Sequence, residues 1–113
     1  MIQYIEITPT ADEFNILTDS VGWGCDDRKI VEKALKNTVY SICAYDDNKI
    51  IGFGRLIGDT AMFLYVQDVM VLPEYQGKQI GTNIMKYLIL LRKGTSQNTI
   101  GIVGNKNNTL VLE

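Results

Sequence analysis

The sequence predicts an α/β domain, because strand-like and helix-like stretches alternate along 113 residues, 46% of the chain is hydrophobic, and glycine, proline and Asp/Asn clusters fall between the stretches. A chain of this length buries one core, so residues 1–113 read as a single domain. With only 21% charged residues and two prolines it is too rich in core formers to be disordered and has no collagen-like bias.

The elements follow in order. Residues 2–7, Ile-Gln-Tyr-Ile-Glu-Ile, are β-branched and aromatic and stop before Thr8-Pro9-Thr10, as an opening strand does. Thr10 or Asp12 can cap a helix whose apolar stripe is Phe14, Leu17 and Val21, and the pattern ends at Gly22-Trp23-Gly24. A second helix starts near Asp26 or Asp27, buries Ile30, Val31, Ala34 and Leu35, and turns Arg28, Lys29, Glu32, Lys33 and Lys36 to solvent. Segments 39–45 and 49–57 flank Asp46-Asp47-Asn48 and predict an antiparallel hairpin. Gly52 and Gly54 share one face of its second strand, which leaves room for a ligand, another backbone or a packing neighbour.

A third strand runs from Met62 to Leu72 until Pro73 ends it, with Gln67-Asp68 interrupting the apolar run. Ile80, Ile84, Leu88 and Leu91 then mark a helix face, closed by Arg92-Lys93-Gly94. Residues 99–103 and 109–112 read as two short strands around the turn at 105–108.

Several chemistries drop out. The chain has no histidine, so a His-containing triad, a histidine base and a His-ligated zinc site are excluded, and no metal is expected. Cys25 and Cys43 form no CxxC pair and no signal peptide precedes residue 4, which points to the cytoplasm. Apolar runs are far shorter than the roughly 18 residues of a membrane span, so no membrane partner is expected. Residues 1–74 carry twelve acids and six bases, whereas residues 75–113 carry five bases and one acid, Glu113. The second segment thus tolerates an anion, but its bases are too sparse for a nucleic-acid partner.

The informative run is Val69 to Thr82, Val-Met-Val-Leu-Pro-Glu-Tyr-Gln-Gly-Lys-Gln-Ile-Gly-Thr, which joins a strand to a helix. A helix N-terminus offers unpaired N–H groups and partial positive charge, Gly77 and Gly81 remove β-carbons that would hold a phosphate off, and Lys78 adds a cation; together these suit a pyrophosphate. The spacing fits neither a P-loop nor a dinucleotide fingerprint. As two glycines in a loop, ordinary strand-to-helix punctuation remains the better account.

The whole run resembles the acetyl-CoA-binding motif of the GNAT superfamily of N-acetyltransferases, V-x-P-x-[YF]-[QR]-G-x-G-x-G. Val71, Pro73, Tyr75, Gln76, Gly77 and Gly81 match it, and Gln79 stands where the family usually has glycine. The upstream run Ile51-Gly52-Phe53-Gly54-Arg55 with its turn and following strand is also similar to that family, and the resemblance covers residues 1–87. It implies a mixed, mostly antiparallel central sheet with helices on both faces, acyl-CoA N-acyltransferase-like, with a shortened or altered C-terminal portion in the atypical residues 88–113.

The resemblance further implies acetyl-CoA as cosubstrate and transfer of acetyl to a primary amine by direct attack on the thioester. The cofactor-binding residues become Val69, Met70, Val71, Gln76, Gly77, Lys78, Gln79, Ile80, Gly81 and Thr82. Val69 and Val71 would pair with the pantetheine arm, and an N–H near Val69 or Met70 would hold the developing oxyanion, a donor worth about 3 kcal/mol.

Amine attack needs a proton acceptor, and Asp68, in an otherwise apolar strand, is the candidate base, with a solvent-facing carboxylate or a cation-binding one as alternatives. Trp23 could line the acceptor cleft by its ring face, although plain core is the favoured reading. Both cysteines read as small hydrophobes. The last tyrosine is Tyr87, in the helix after the loop, so the family's late tyrosine acid has no counterpart. The tail therefore suggests a shortened member, whose open sheet edge could pair two copies into a homodimer. A catalytically impaired CoA-binding or interaction module is the alternative, and a structural domain without the cofactor site is a third reading. The acceptor is left open as a small-molecule or protein amine.

Overall fold

The computed structural model of the chain describes residues 1–91, 100–103 and 109–112, the last two stretches only as strands. Six strands form one sheet in sequence order: β1 (Ile2–Glu6), β2 (Tyr40–Asp46), β3 (Lys49–Gly58), β4 (Leu64–Val71), β5 (Ile100–Val103) and β6 (Thr109–Leu112). All neighbours are antiparallel except β4 and β5, which are parallel and are joined through helix α3 (Ile80–Leu91). This is the mixed, mostly antiparallel sheet that the sequence implies.

Helices α1 (Ala11–Ser20) and α2 (Arg28–Lys36) cover one face and α3 the other. Thr10 is the cap of α1: its hydroxyl accepts from the Glu13 N–H while the Glu13 carboxylate accepts from the Thr10 N–H, satisfying two donors reciprocally. Asp27 caps α2 through the Lys29 N–H. Phe14 of α1 meets Phe53 of β3 edge-on, with ring centroids 5.6 Å apart. On α2, Val31 and Leu35 are buried as expected, but Ile30 is exposed. Successive residues point about 100° apart around a helix, and with the buried stripe running through Val31 and Leu35, Ile30 falls outside it.

On the opposite face Ile80, Ile84 and Leu88 of α3 are fully buried. A β-carbon built on Gly52 would lie 3.1 Å from Ile84 Cδ1, and one on Gly54 only 2.6 Å from Ile84 Cγ2. The paired glycines of β3 thus admit a helix, not a ligand.

Strand β4 begins at Leu64, two residues later than the apolar pattern suggests. The Asp59 carboxylate accepts from the backbone N–H groups of Ala61, Met62 and Phe63 at 2.8, 2.8 and 3.0 Å, holding them in a turn and off the ladder. Pro73 closes β4 and starts a single 3₁₀ turn, Pro73–Tyr75, absent from the sequence reading. Arg92-Lys93-Gly94 and the turn at 105–108 lie outside the described residues.

Candidate functional site

Strand β4 is bent at one point. On its β3 side Phe53 pairs with Met70 and Arg55 with Gln67, so Gly54 alone opposes both Asp68 and Val69. That two-against-one count is a β-bulge, and Asp68 adopts the left-handed φ of +56° that it needs. For a residue other than glycine such backbone costs about 1–2 kcal/mol, so neighbouring interactions must hold it.

Arg55 supplies them. Its Nε donates to Asp68 Oδ2 at 2.9 Å, and its Nη1 donates to the Ala34 carbonyl oxygen at 3.1 Å and to Thr38 Oγ1 at 3.0 Å. The side chains are 10% and 17% exposed, so this ion pair sits largely out of water. The surroundings of Asp68 therefore differ from the apolar environment expected for a candidate base: a guanidinium faces the carboxylate.

On the other side of β4, the parallel pairing with β5 runs only over Leu64↔Ile100, Tyr65↔Gly101 and Val66↔Ile102. From Gln67 to Val71 no β5 partner is present among the described residues. Strand β5 ends at Val103, so among the described residues no strand lies beside the edge of β4 that leads from Asp68 and Val69 to the start of α3. Met70 buries its side chain, and Val69 packs toward Gly54, its Cγ2 lying 3.3 Å from the position of an added β-carbon.

At the end of that edge a hollow of about 390 Å³ is lined by Val71, Tyr75, Gln76, Gly77, Gln79, Ile80, Gly81 and Thr82. The first backbone bond of α3 runs from the Asn83 N–H to the Gln79 carbonyl oxygen at 3.0 Å. The N–H groups of Ile80, Gly81 and Thr82 thus lie at the helix end without a helical partner. Gly77 requires its φ of +80°, whereas a β-carbon on Gly81 would meet nothing closer than Val71 Cγ2 at 3.7 Å. Internal packing therefore does not demand a glycine at 81; a group seated in the hollow would.

Gln79 has φ +64°, which explains in physical terms why a glycine suits that position. The Gln76 amide donates to the Val71 carbonyl at 3.0 Å, tying loop to strand.

Tyr75 is the lining residue that sequence reasoning matched to the motif but did not place in the site. Its hydroxyl donates to Asp46 Oδ2 at 2.6 Å, which raises the tyrosine pKa and lowers that of Asp46, and anchors the loop on the β2–β3 hairpin. Lys78 does not line the hollow; its Nζ lies 5.4 Å from the centre of the Tyr75 ring, and Lys49 Nζ lies 5.7 Å from it. The signal that could have found Tyr75 is its place two residues before Gly77, where the glycine loop begins.

Two other expectations, for Trp23 and Cys25, resolve differently. Trp23 is 47% exposed in the loop between α1 and α2, not core, and does not line the hollow. Cys25 is exposed rather than packed, whereas Cys43 is buried and its thiol is pushed up to about 12, chiefly by desolvation, which leaves it unreactive. A larger depression of about 870 Å³ lies between residues 8–12 and the charged side of α2. It contains no residue of β4 or of the glycine loop, so size alone does not locate the site. Among the described residues no group of side chains could hold a metal ion, and no helix is long and apolar enough to cross a membrane.

Residues 37–111 match the family model of the acetyltransferase (GNAT) domain. The chain belongs to the GNAT acetyltransferase family. The match continues past residue 87 through β5 into β6. A relative from Gracilaria tenuistipitata var. liui, an uncharacterised N-acetyltransferase named ycf52, is 35% identical over 88 residues, 74% of this chain and 48% of its own length. The chain spans about half the length of the curated relatives it matches.

Among solved structures, a protein of unknown function from methicillin-resistant Staphylococcus aureus, described as a probable acetyltransferase, superposes with a TM-score of 0.85 at 27% identity, covering 93% of this chain and 80% of that one. A GNAT acetyltransferase from Brucella melitensis in complex with acetyl-CoA shares the fold, with a TM-score of 0.74 at 17% identity over 99% of this chain and 87% of that one.

Proposed function

We propose that this GNAT domain binds acetyl-CoA along β4 and at the start of α3, and transfers the acetyl group to a primary amine by direct attack on the thioester. The observation that carries the reading is the edge of β4 with no strand beside it among the described residues, which runs past the Asp68–Val69 bulge to the hollow at Gly77–Thr82. The N–H groups of Ile80, Gly81 and Thr82 would hold the pyrophosphate, and the Lys78 ammonium, which lies by the Tyr75 ring outside the hollow, would add only longer-range attraction. Backbone at Val69 and Val71 would pair with the pantetheine arm as an added strand does. Bound there, acetyl-CoA supplies an activated acyl group.

An N–H at Val69 or Met70 would meet the negative charge that grows on the thioester oxygen as the amine nitrogen attacks. Such a donor is typically worth about 3 kcal/mol. The exposed Trp23 would border the acceptor path. The acidic excess of residues 1–74 suits a cationic acceptor, whether a small amine, an aminoglycoside-like compound or a protein lysine.

The test is calorimetric titration with acetyl-CoA of the protein and of Gly81→Glu, followed by turnover with a panel of amines. A β-carbon at 81 is accommodated, so the variant folds while it places bulk and negative charge in the hollow. Binding that weakens at least about 100-fold in the variant supports the reading, since both the helix-end attraction and the space are lost. Equal binding by both proteins would sink it. Binding without turnover of any amine would favour the CoA-binding module instead, a reading to which the glutamine at 79 lends weight.

A further inference from the structure

We propose that Arg55 is a positioning residue for the reacting centre: by pairing with Asp68 while holding Ala34 and Thr38, it fixes the β4 bulge and couples it to the C-terminus of α2. The inference rests on the reading above and deepens it, because it concerns how the N–H that would face the thioester oxygen is kept in place.

Three observations converge on Arg55. The residue is charged yet only 8% exposed, in a strand whose other central residues are apolar or glycine. Its donors reach two separate elements, the bulge through Nε and the last turn of α2 through Nη1. The bulge it holds carries a non-glycine residue at φ +56°. A guanidinium suits this task, because its planar fork can direct bonds to two sites at fixed angles, whereas an ammonium cannot. The α2 carbonyls at Ala34 also lie at the negative end of that helix, where a cation is favoured.

The geometry has a functional consequence. Asp68 turns its side chain toward α2, and Val69 turns toward α3, so the peptide between them is the pivot of the bulge. Rotating that peptide would swing the Val69 N–H away from the free β4 edge. With Arg55 in place, Asp68 is a structural anchor and its carboxylate is engaged. The loop carrying Trp23 leads into α2, so movement on the acceptor side would reach the bulge through the same guanidinium.

The experiment compares the wild type with Arg55→Gln, Arg55→Lys and Asp68→Asn, reading native-state hydrogen exchange, steady-state kinetics with acetyl-CoA, and pH profiles. In the ligand-free protein, Arg55→Gln should speed amide exchange at Met70, which pairs with Phe53 beside the bulge, and at residues 34–38 by at least about tenfold, with little change at Ile84 and Leu88. Its kcat should fall about 100-fold while KM for acetyl-CoA stays within about threefold, as expected when a transition-state donor is misplaced. Arg55→Lys should recover part of the loss. If Arg55→Gln does not fold, Arg55→Lys and Asp68→Asn carry the same readouts.

Unchanged exchange at Met70 in folded variants would overturn the proposal, as would altered exchange with an unchanged kcat. Loss of the acidic limb of the pH profile in Asp68→Asn alone would overturn it too, since Asp68 would then be the proton acceptor. If the wild type fails to bind acetyl-CoA, the transferase reading falls while the exchange data still decide whether Arg55 holds the bulge.

Discussion

Asp68 at the β4 bulge and Gln79 before α3 adopt the same left-handed backbone, with φ +56° and +64°, yet their surroundings could hardly differ more. Asp68 is enclosed, and Arg55 binds its carboxylate while gripping α2. Gln79 stands exposed in the glycine loop, and its side chain makes no hydrogen bond with the described residues. At the bulge an unfavourable conformation is compensated by a specific interaction. At the loop it is imposed by the strand-to-helix connection and left uncompensated. Left-handed backbone therefore marks both ends of the site, but only the environment tells whether glycine would serve better.

The largest expected effect comes from the strand facing the bulge. Gly54 is the single residue opposite Asp68 and Val69, and an added β-carbon would lie 2.6 Å from Ile84 Cγ2 and 3.1 Å from Leu88 Cδ1. Gly54→Ala should push α3 off the sheet and destabilise the domain by about 3 kcal/mol, the upper part of the range for overpacking. For a domain of this size that lowers Tm by more than about 10 °C in a thermal melt. A shift below about 2 °C would mean that α3 yields freely and that the bulge needs no close helix behind it.

Next comes the substitution that separates the two left-handed sites. Asp68→Gly relieves about 1 kcal/mol of backbone strain but leaves the Arg55 guanidinium without its carboxylate, a loss of about 3 kcal/mol for a largely buried pair. The net destabilisation of about 2 kcal/mol is measured by urea denaturation. A neutral or stabilising result would show that the ion pair contributes little and that the bulge is held by packing alone.

What the sequence made legible divides along the same line. Local signals were sufficient for a cap at Thr10 or Asp12, the hairpin around Asp46-Asp47-Asn48, the α3 stripe of Ile80, Ile84 and Leu88, and the glycine loop, although the Glu13 half of the capping box and the pairing of Asp46 with Lys49 were not read. Each depends on residues within a turn or two of one another. The Arg55–Asp68 pair spans thirteen residues and two strands, and no periodicity reports the sign of φ at Asp68. The clue available was an arginine inside a glycine-rich apolar strand and an aspartate inside the next, a cross-strand pair of opposite charge. Ile30 and Trp23 were misjudged because apolar character does not fix which way a short helix or a two-glycine loop faces.

The smallest effect has the opposite sign. In Gln79→Gly, release of about 1–2 kcal/mol of left-handed strain is partly offset by about 0.4–1 kcal/mol of added freedom in the unfolded chain, leaving a net stabilisation of roughly 0.5–1 kcal/mol. A rise of a few degrees in Tm is expected. Gln79 lines the hollow, so removing its side chain also lets an anion approach the backbone more closely, and the acetyl-CoA Kd should tighten by no more than about tenfold. If Tm instead falls, the Gln79 side chain supports the loop, and the contrast with Asp68 fails. If Tm rises but Kd is unchanged, the preference for glycine here concerns backbone shape, and Gly81 remains the position whose missing side chain makes room for the ligand.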